Sequence, residues 1–350
     1  MERKTQFNDY EFSKKIYVEI CNKCNFKCKH CYNASSQKKN DFMSISMIRK
    51  IIEECKKNRI LHITLSGGEP LLHPQIKEIL SEILGEKLTV GIITNGILLN
   101  REILDIYRDN MKRMTLQISL HGSTPDIHSK LTDTSVSDKI FEIIPIVNRE
   151  KIEYKINCVI NKHNMYDVER IIEYSKSNGA KGVSFGFIQP FGRATNSGNF
   201  NIEIHELINY YNGYLKDIKL KYNDYITLPE YKNTRCPAVT YHISGKKNYY
   251  SPRIDCTGNV FLCSMFVSPK YALGNIEKSG LNEIFESERL DDLLTYLHLR
   301  SRYVDKCNDC IVNAVCARGC PALSAENDII CQSEQCNIVK SEIILNSLAE

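Results

Sequence analysis

The sequence lacks any run of about 18 apolar residues, which is the length that a transmembrane helix needs. Its N-terminus has no apolar segment of the kind that a secretory signal carries. The net charge is only +4, and no arginine-rich or aromatic-interleaved patch indicates nucleic-acid binding. We therefore expect a cytoplasmic protein that binds neither membrane nor nucleic acid.

Cysteine, in contrast, is abundant, with 15 cysteines in 350 residues. Because the cytosol is reducing, clustered cysteines there favour metal binding over disulfides, and soft thiolates select zinc or iron–sulfur clusters. Two cysteines stand apart from the clusters, since Cys55 lies in a helical pattern and Cys158 in a strand pattern. We predict that both are small, buried hydrophobic residues.

Residues 1–200 alternate short β-rich runs with amphipathic helical segments, the pattern of a parallel sheet covered by helices. Six such units, two fewer than a complete barrel, predict an α/β fold with a partial (β/α)6 TIM-type barrel, open on one side. Chemistry in such barrels lies at the carboxyl ends of the strands. The predicted strands are Ile16–Ile20, Ile60–Ser66, Leu88–Thr94, Met114–Leu120, Glu153–Ile160 and Gly182–Ile188.

A cysteine-rich loop follows the first predicted strand directly. Cys24, Cys28 and Cys31 have the spacing C-x3-C-x2-C. Three thiolates on one short loop can bind three irons of a cubane 4Fe–4S cluster, which leaves the fourth iron open for a substrate or cofactor. A zinc site is the alternative, but zinc prefers four ligands in paired C-x2-C units, and Cys21 is better interpreted as a strand-end residue.

Polar motifs end the next three predicted strands. Each motif alone is compatible with an ordinary turn. Because the carboxyl ends of parallel strands meet at one edge of a sheet, we expect all three to surround the same opening as the cysteine loop. The motifs are Ser66-Gly67-Gly68-Glu69-Pro70, Thr94-Asn95-Gly96 and Ser119-Leu120-His121-Gly122.

In this order and spacing, the cysteine loop and the strand-end motifs resemble the core of the radical S-adenosylmethionine (radical SAM) enzymes. The resemblance implies that the open iron chelates the amino and carboxylate groups of SAM, and that an electron from the cluster splits the sulfonium to give a 5′-deoxyadenosyl radical. It also implies which residues bind SAM. They are Gly67, Gly68 and Glu69 for the amino group, Thr94, Asn95 and Ser119 for the methionyl and ribose groups, and the backbone of His30 for adenine.

One position departs from the family pattern. Many relatives carry an arginine four residues after a histidine that follows the fourth strand, and this arginine holds the SAM carboxylate. Here Thr132 stands four residues after His128. The candidate for the missing charge is Lys130, although a lysine offers a point charge in place of a bidentate fork. The segment from Gln189 to Ala194, in contrast, is similar to one that recurs after the sixth strand of these cores.

Cysteines dominate the C-terminal part of the sequence. Four of them, from Cys307 to Cys320, have the spacing C-x2-C-x5-C-x3-C, and the residues from Gly258 to Cys263 give G-x4-C. This pattern resembles the SPASM domain of peptide-modifying radical SAM enzymes. It implies a small cysteine-rich C-terminal iron–sulfur domain with two auxiliary 4Fe–4S clusters. A zinc-ribbon-like module is the alternative, since C-x2-C pairs suit zinc as well.

The resemblance also implies interleaved ligand sets for the two auxiliary clusters. The fourth position of each set stays open between two assignments. Cys336 is slightly preferred over Cys331 because the predicted C-terminal helix begins there. The sets are Cys236, Cys263 and Cys320 with either Cys256 or an open iron, and Cys307, Cys310 and Cys316 with either Cys331 or Cys336.

These features predict a radical SAM core (1–200), a helical linker (201–235) and a SPASM auxiliary-cluster domain with a C-terminal helix (236–350). The expected activity is that of a radical SAM maturase, an oxidoreductase that takes a hydrogen from a peptide or protein side chain under anaerobic conditions. The product is a thioether, a C–C cross-link or an oxidised residue, and an anaerobic sulfatase maturase-like enzyme is a variant. An external electron donor of the flavodoxin or ferredoxin type is also expected.

Two alternatives stay open at this point. A small-molecule radical SAM oxidoreductase, acting in haem or redox-cofactor synthesis or dehydrogenating a sugar alcohol, would use the same scaffold. A non-catalytic zinc-binding interaction protein belongs to another class, and it would lack the visible absorbance of an iron–sulfur protein. The sequence singles out neither a general base nor the substrate.

Overall fold

The structure is a computed structural model, and it describes residues 10–134, 136–189, 191–196, 198–229 and 248–303, with positions 307, 309–311, 320, 322 and 336. The strands are β1 Tyr10–Phe12, β2 Lys15–Cys21, β3 His62–Gly67, β4 Thr89–Thr94, β5 Met114–Ser119, β6 Tyr154–Ile160, β7 Val183–Phe187, β8 Ile226–Thr227, β9 Asn248–Tyr250, β10 Arg253–Ile254, β11 Asn259–Phe261 and β12 Gly274–Asn275. The helices are α1 Ile45–Lys57, α2 Ile76–Gly85, α3 Arg101–Asp109, α4 Pro125–Thr132, α5 Ile140–Arg149, α6 Val168–Ser177, α7 Ile204–Tyr210, α8 Lys216–Tyr222, α9 Leu281–Phe285 and α10 Glu288–Tyr303.

Strands β2 to β8 run parallel in sequence order and carry helices in their connections. They belong to a sheet whose order is β12-β11-β10-β2-β3-β4-β5-β6-β7-β8. Within the described residues, the two outermost strands β12 and β8 do not pair, so the barrel is open. The predicted α/β fold with a partial (β/α)6 barrel is confirmed, and β2 to β7 are the six predicted strands with ends shifted by one or two residues.

Local sequence explains these elements well. In α1 the apolar residues fall on one buried face, which includes Ile48, Ile51, Ile52 and Cys55, and the Ser44 side chain caps the helix by accepting the Met47 backbone N–H. Cys158 is fully buried in β6, so the prediction for both isolated cysteines is confirmed. No helix in the described ranges combines the length and the apolar character needed to cross a bilayer.

The C-terminal part is joined to the barrel through backbone pairing. β10 pairs in parallel with β2, while β11 and β12 follow in antiparallel order, so this unit extends the sheet beyond its first barrel strand. The rings of Phe12 and Phe285 meet edge to face at 4.9 Å, and Tyr250 packs against Phe285 at 5.1 Å. One apolar core therefore runs from the barrel into the C-terminal part.

The segment predicted as a helical linker contributes two helices and one strand of the sheet. α7 and α8 are connected by a π-helical turn at Tyr211–Leu215, so they form one nearly continuous helix. The chain then returns to the sheet, because β8 pairs with β7. The core sheet thus gains a strand from residues after position 200, while the three domain boundaries stay a prediction.

Candidate functional site

The motifs predicted from the sequence meet at the carboxyl edge of the parallel strands. The cysteine loop leaves β2 at Cys21, while Gly67, Thr94 and Ser119 end β3, β4 and β5. An irregularity in β2 between Glu19 and Cys21 shifts the register, so that Cys21 pairs with Gly67. The shift places the start of the cysteine loop directly against the glycine motif.

The three cysteines of the loop lie within electrostatic reach of one another. Burial raises the pKa of the Cys24 thiol to about 12, and the charge of Cys31 contributes to the increase. Burial also raises the pKa of Cys28 well above its usual range, and Cys31 and Cys24 raise it further. Because metal coordination deprotonates a thiol outright, bound iron would offset this burial and repulsion. The three thiols therefore fit an iron–sulfur cluster with three protein ligands.

The loop does not have the geometry of a preformed mononuclear zinc site. Across the described ranges, no three or more His, Cys, Asp or Glu side chains lie close enough together for one metal ion. The thiolates of a cubane cluster bind separate irons, so they need not converge on one point, whereas zinc ligands must.

Gly67 and Gly68 allow the backbones of two strand ends to touch. A Cβ on Gly67, whose φ is +126°, would lie 2.2 Å from the Cys21 carbonyl oxygen, and one on Gly68 would lie 2.0 Å from that of Lys23. The Gly68 N–H donates to Cys21 O at 2.7 Å, and the Glu69 N–H donates to Lys23 O at 2.9 Å. The close approach that the glycines permit is thus to the cysteine loop, and their contact with SAM stays a prediction.

Glu69 is a buried carboxylate held by neutral donors. Its side chain accepts hydrogen bonds from the Leu71 N–H at 3.0 Å, the Thr94 hydroxyl at 2.7 Å and the Asn95 N–H at 2.9 Å. Burial raises its pKa to about 7 against the opposing effect of these donors. Among the described residues, no ion pair supplies it with a cation. An ionised carboxylate has about four acceptor positions, so one is left for a ligand.

Thr94 and Asn95 connect Glu69 to its surroundings. The Thr94 hydroxyl donates to Glu69 and accepts the Gly96 N–H at 2.9 Å. The Asn95 side chain donates to Asn25 Oδ1 at 2.7 Å, and Asn25 lies in the cysteine loop. The structure therefore brings these two predicted SAM-binding residues to Glu69 and the loop, and it adds Asn25, which sequence reasoning missed.

Arg193 binds the backbone of the cysteine loop through three hydrogen bonds. Its Nε donates to Cys28 O at 2.8 Å, its Nη1 donates to Ser35 O at 2.8 Å, and its backbone N–H donates to Cys31 O at 3.1 Å. Gly192 precedes it at φ +55°, where a Cβ would lie 2.3 Å from Tyr32 O. The segment after the sixth predicted strand thus has a structural role that its motif alone did not reveal.

Three histidine side chains pack in a column against the cysteine loop. The ring centroids of His30 and His121 are 4.7 Å apart, and those of His121 and His128 are 5.6 Å apart. Burial lowers the pKa of both His30 and His128 to about 4 and that of His121 well below its usual range, so all three are neutral at pH 7. His128 Nδ1 accepts the His121 N–H, and His121 Nδ1 accepts the Val159 N–H. The sequence had assigned to this column only a backbone contact of His30 with adenine.

The remaining side chains predicted to contact SAM are those of Ser119 and Lys130. Ser119 is half-buried at the end of β5. Lys130 lies on α4 with a side chain that is 48% exposed, and its ammonium is 3.7 Å from the carboxylate of Asp126. Thr132 is buried, and its hydroxyl donates to His128 O. The structure thus pairs Lys130 on the exposed side of α4, and its contact with a SAM carboxylate stays a prediction.

Two of the predicted auxiliary ligands, Cys263 and Cys320, lie close to each other. Burial raises the pKa of Cys263 to about 11, and the next largest cause is the charge of Cys320, so these two thiols are neighbours although they are far apart in sequence. Cys310 donates its backbone N–H to Cys307 O at 3.3 Å, which places both in one turn. Cys336 is half-buried.

Cys256 is a buried thiol in the turn that connects β10 and β11. Burial raises its pKa to about 12, with further contributions from the charges of Asp255, Glu19 and Cys21. The fourth position of the first auxiliary cluster, either Cys256 or an open iron, stays a prediction. The other predicted ligands, Cys236, Cys316 and Cys331, lie outside the described residues.

Comparison with known families identifies the chain. The radical SAM superfamily matches residues 18–175, and the SPASM iron–sulfur cluster-binding domain matches residues 247–311. The chain therefore carries a radical SAM domain and a SPASM domain. Its cofactors are therefore SAM, the 4Fe–4S cluster that binds SAM, and auxiliary clusters in the SPASM domain. It is an enzyme of this class, which excludes the zinc-binding interaction protein.

The related proteins are distant in sequence, and their names indicate different activities. The chain is 25% identical over 284 residues to AlbA, the antilisterial bacteriocin subtilosin biosynthesis protein of Bacillus subtilis, covering 80% of this chain and 61% of AlbA. The chain therefore spans less than two thirds of that relative. It is also 25% identical over 325 residues to the AdoMet-dependent heme synthase of Methanosarcina barkeri, covering 88% of this chain and 90% of that protein.

Solved structures share the fold. SuiB of Streptococcus suis bound to precursor peptide SuiA superimposes with a TM-score of 0.75 at 17% identity, over 94% of this chain and 77% of SuiB. The protein anSMEcpe, with AdoMet and the Cp18Cys peptide bound, gives a TM-score of 0.68 at 17% identity, over 93% of this chain and 94% of that chain. At this identity the likeness concerns the fold.

Proposed function

We propose that this enzyme is a radical SAM maturase that modifies a side chain of a peptide or protein substrate. The observation that carries the proposal is the joining of the two cysteine-bearing parts in one sheet, through the pairing of β10 with β2. Because of this pairing, β2, which leads into the SAM-cluster loop, and β11, which leads to Cys263, belong to one sheet with β10 between them. A substrate bound between the loop and Cys263 could be attacked at one site and oxidised at the other.

The residues of this chain have distinct roles in the proposed reaction. Cys24, Cys28 and Cys31 would hold the cluster, which together with SAM supplies an electron and a carbon-centred radical able to take hydrogen from an unactivated carbon. Glu69 would accept a hydrogen bond from the SAM amino group, and the backbone at Gly67 and Gly68 would position it. The strand-end location favours exclusion of water from the reacting carbon.

The names of the related proteins support a peptide substrate. AlbA acts in the biosynthesis of a bacteriocin, and SuiB was solved with a precursor peptide. We extend this substrate class to the present chain as a proposal, and with it a ribosomally synthesised peptide, a cytoplasmic anaerobic setting, and an external flavodoxin or ferredoxin as electron donor. The modification would be a thioether, a C–C cross-link or an oxidised residue.

The test is anaerobic incubation of the reconstituted protein with SAM, dithionite and a peptide encoded beside its gene. We expect 5′-deoxyadenosine release together with loss of two hydrogens from the peptide, measured by mass spectrometry. A peptide deuterated at the modified carbon should transfer deuterium to 5′-deoxyadenosine. Release of 5′-deoxyadenosine without any change in the candidate peptides would count against the proposal.

A second candidate is a small-molecule oxidoreductase, since the heme synthase relative matches 88% of this chain and 90% of its own length. This match covers both parts of the chain, so the two-part architecture alone does not separate the candidates. Consumption of a tetrapyrrole in the same assay, with the peptide unchanged, would favour it. Modification of the peptide with the tetrapyrrole unchanged would exclude it.

A further inference from the structure

A buried ion pair connects the strand before the cysteine loop to the SPASM domain. Glu19 on β2 is 2% exposed and Arg253 on β10 is 4% exposed. The guanidinium meets the carboxylate as a fork, with Nε to Oε1 at 2.7 Å and Nη2 to Oε2 at 2.8 Å. In the other ion pairs of the described residues the basic side chain is at least 42% exposed, so this pair is of a different kind.

Each member of the pair also contacts a cluster-binding segment. Glu19 accepts hydrogen bonds from the Tyr32 hydroxyl at 2.8 Å and from Asn33 Nδ2 at 3.2 Å, and these two residues follow Cys31 directly. Arg253 donates from Nη1 to Phe266 O at 3.0 Å. The Phe266 N–H in turn donates to Cys263 O at 3.2 Å, so the guanidinium supports the turn that begins at Cys263.

The guanidinium also lies close to two aromatic rings. Its central carbon lies 4.6 Å from the ring of Phe261 and 6.0 Å from the ring of Tyr32. The Tyr32 side chain therefore contacts both members of the pair. A shift of the loop after Cys31 would have to move the carboxylate, the guanidinium and the segment after Cys263 together.

We propose that Glu19 and Arg253 are positioning residues that hold the SAM-cluster loop and the first auxiliary-cluster segment in one fixed relation. Only the role of this pair in product formation rests on the proposed function, since the contacts themselves are independent of any substrate. A buried ion pair adds little net stability compared with apolar side chains of the same volume, but it fixes geometry because neither charge tolerates separation. Coupling of this kind is reciprocal, so each segment should respond to a change in the other.

The test is hydrogen exchange on the cluster-loaded protein, followed by peptide mass spectrometry. Arg253→Gln should accelerate exchange in 22–36, which lies in the other domain, by about ten-fold or more. Local opening of this segment in the variant no longer has to break the bidentate ion pair. Glu19→Gln should accelerate exchange in 259–266 to a similar extent. The matched control is Glu54→Gln, since Glu54 also joins the barrel to the SPASM domain, accepting the Leu281 N–H at 2.7 Å. That variant should change neither segment.

Two further variants keep the test decisive if a single substitution leaves a buried charge and prevents folding. The double variant Glu19→Gln with Arg253→Gln leaves no buried charge at these two positions and should fold, with faster exchange in both segments. Tyr32→Phe removes one hydrogen bond and keeps the fork, so it should accelerate exchange in 22–36 alone. Unchanged exchange in both segments of the double variant, or equal acceleration in Glu54→Gln, would overturn the inference.

A functional readout separates this inference from the proposed function. In the double variant we expect product formed per 5′-deoxyadenosine to fall about ten-fold relative to the wild type. An unchanged ratio would contradict the positioning role. If the wild-type protein forms no peptide product at all, the proposed function fails, whereas the exchange experiment still decides whether the two segments are coupled.

Discussion

Two buried glutamates flank the cysteine loop, and they differ in one respect. Glu19 is paired with a cation of the protein itself, because Arg253 donates two hydrogen bonds to its carboxylate. Glu69 has only neutral donors around it, and burial raises its pKa to about 7. Both side chains are nearly inaccessible, at 2% and 1% exposure. The difference therefore lies in charge compensation and not in burial.

The comparison indicates that the two sites serve different purposes. A buried carboxylate with its own arginine is satisfied in the protein alone, as expected for a structural bridge. A buried carboxylate without a cation is satisfied only when a ligand brings one. The sulfonium cofactor of this family carries an ammonium group, and Glu69 lies beside the loop that would hold its cluster. The four predictions below test this contrast, in order of decreasing effect.

The largest effect is expected from removing the loop's thiols, which lie between the two glutamates. The triple change Cys24→Ala, Cys28→Ala and Cys31→Ala should abolish 5′-deoxyadenosine release under dithionite while iron and sulfide remain bound at the auxiliary sites. The control Cys55→Ala alters a buried thiol in α1 and should cleave SAM as the wild type does. Undiminished release in the triple variant would refute the site assignment.

Product formation should depend on the SPASM side of the comparison. Cys310→Ala should still cleave SAM in the absence of substrate and yet yield no product, because it alters a predicted auxiliary-cluster ligand far from the SAM loop. Metal binding contributes to the folding of small domains, so circular dichroism and limited proteolysis must show that the variant is folded. A folded Cys310→Ala protein with full product formation would confine the mechanism to the barrel.

The pKa of Glu69 predicts a pH dependence of stability without SAM. Its folded pKa of about 7 lies above the unfolded value, so the stabilisation is complete below pH 4.5 and is lost as pH rises through 7. Relative to Glu69→Gln, the wild type should lose about 3 kcal/mol of unfolding free energy over this interval, measured by denaturant titration.

A variant that keeps the carboxylate provides the control for this pH dependence. Thr94→Val removes one donor to Glu69, so the loss of stability should continue to higher pH than in the wild type. If the stability difference between wild type and Glu69→Gln stays constant from pH 4.5 to 7, Glu69 is not the uncompensated carboxylate that the comparison requires.

The sequence was sufficient to predict the features that depend on local patterns. Periodicity located β2 to β7, and the order of the motifs predicted that the cysteine loop, Gly67 and Thr94 would meet, because parallel strands share a carboxyl edge. Burial of Cys55 and Cys158 followed from their positions in apolar patterns. These predictions needed no knowledge of contacts between distant segments.

Contacts across long sequence separations could not be predicted in this way. Glu19 and Arg253 are 234 positions apart, and nothing in either local pattern names the other as a partner. A signal was present, since Glu19 is the one charged residue inside the apolar run Ile16–Ile20, and a buried strand rarely keeps an unpaired charge. Arg193 likewise reaches Cys28 from 165 positions away. Such contacts depend on the tertiary fold, which brings the partners together.

The most direct test of the contrast between the two glutamates is the SAM affinity of Glu69→Gln, measured by isothermal titration on the cluster-loaded protein. A hydrogen bond to a charged group such as this carboxylate contributes about 1.5–3 kcal/mol, so the dissociation constant should rise about ten-fold or more, while Glu54→Gln leaves it unchanged. An unchanged dissociation constant in Glu69→Gln would mean that Glu69 only fastens the strand ends together and binds no part of SAM.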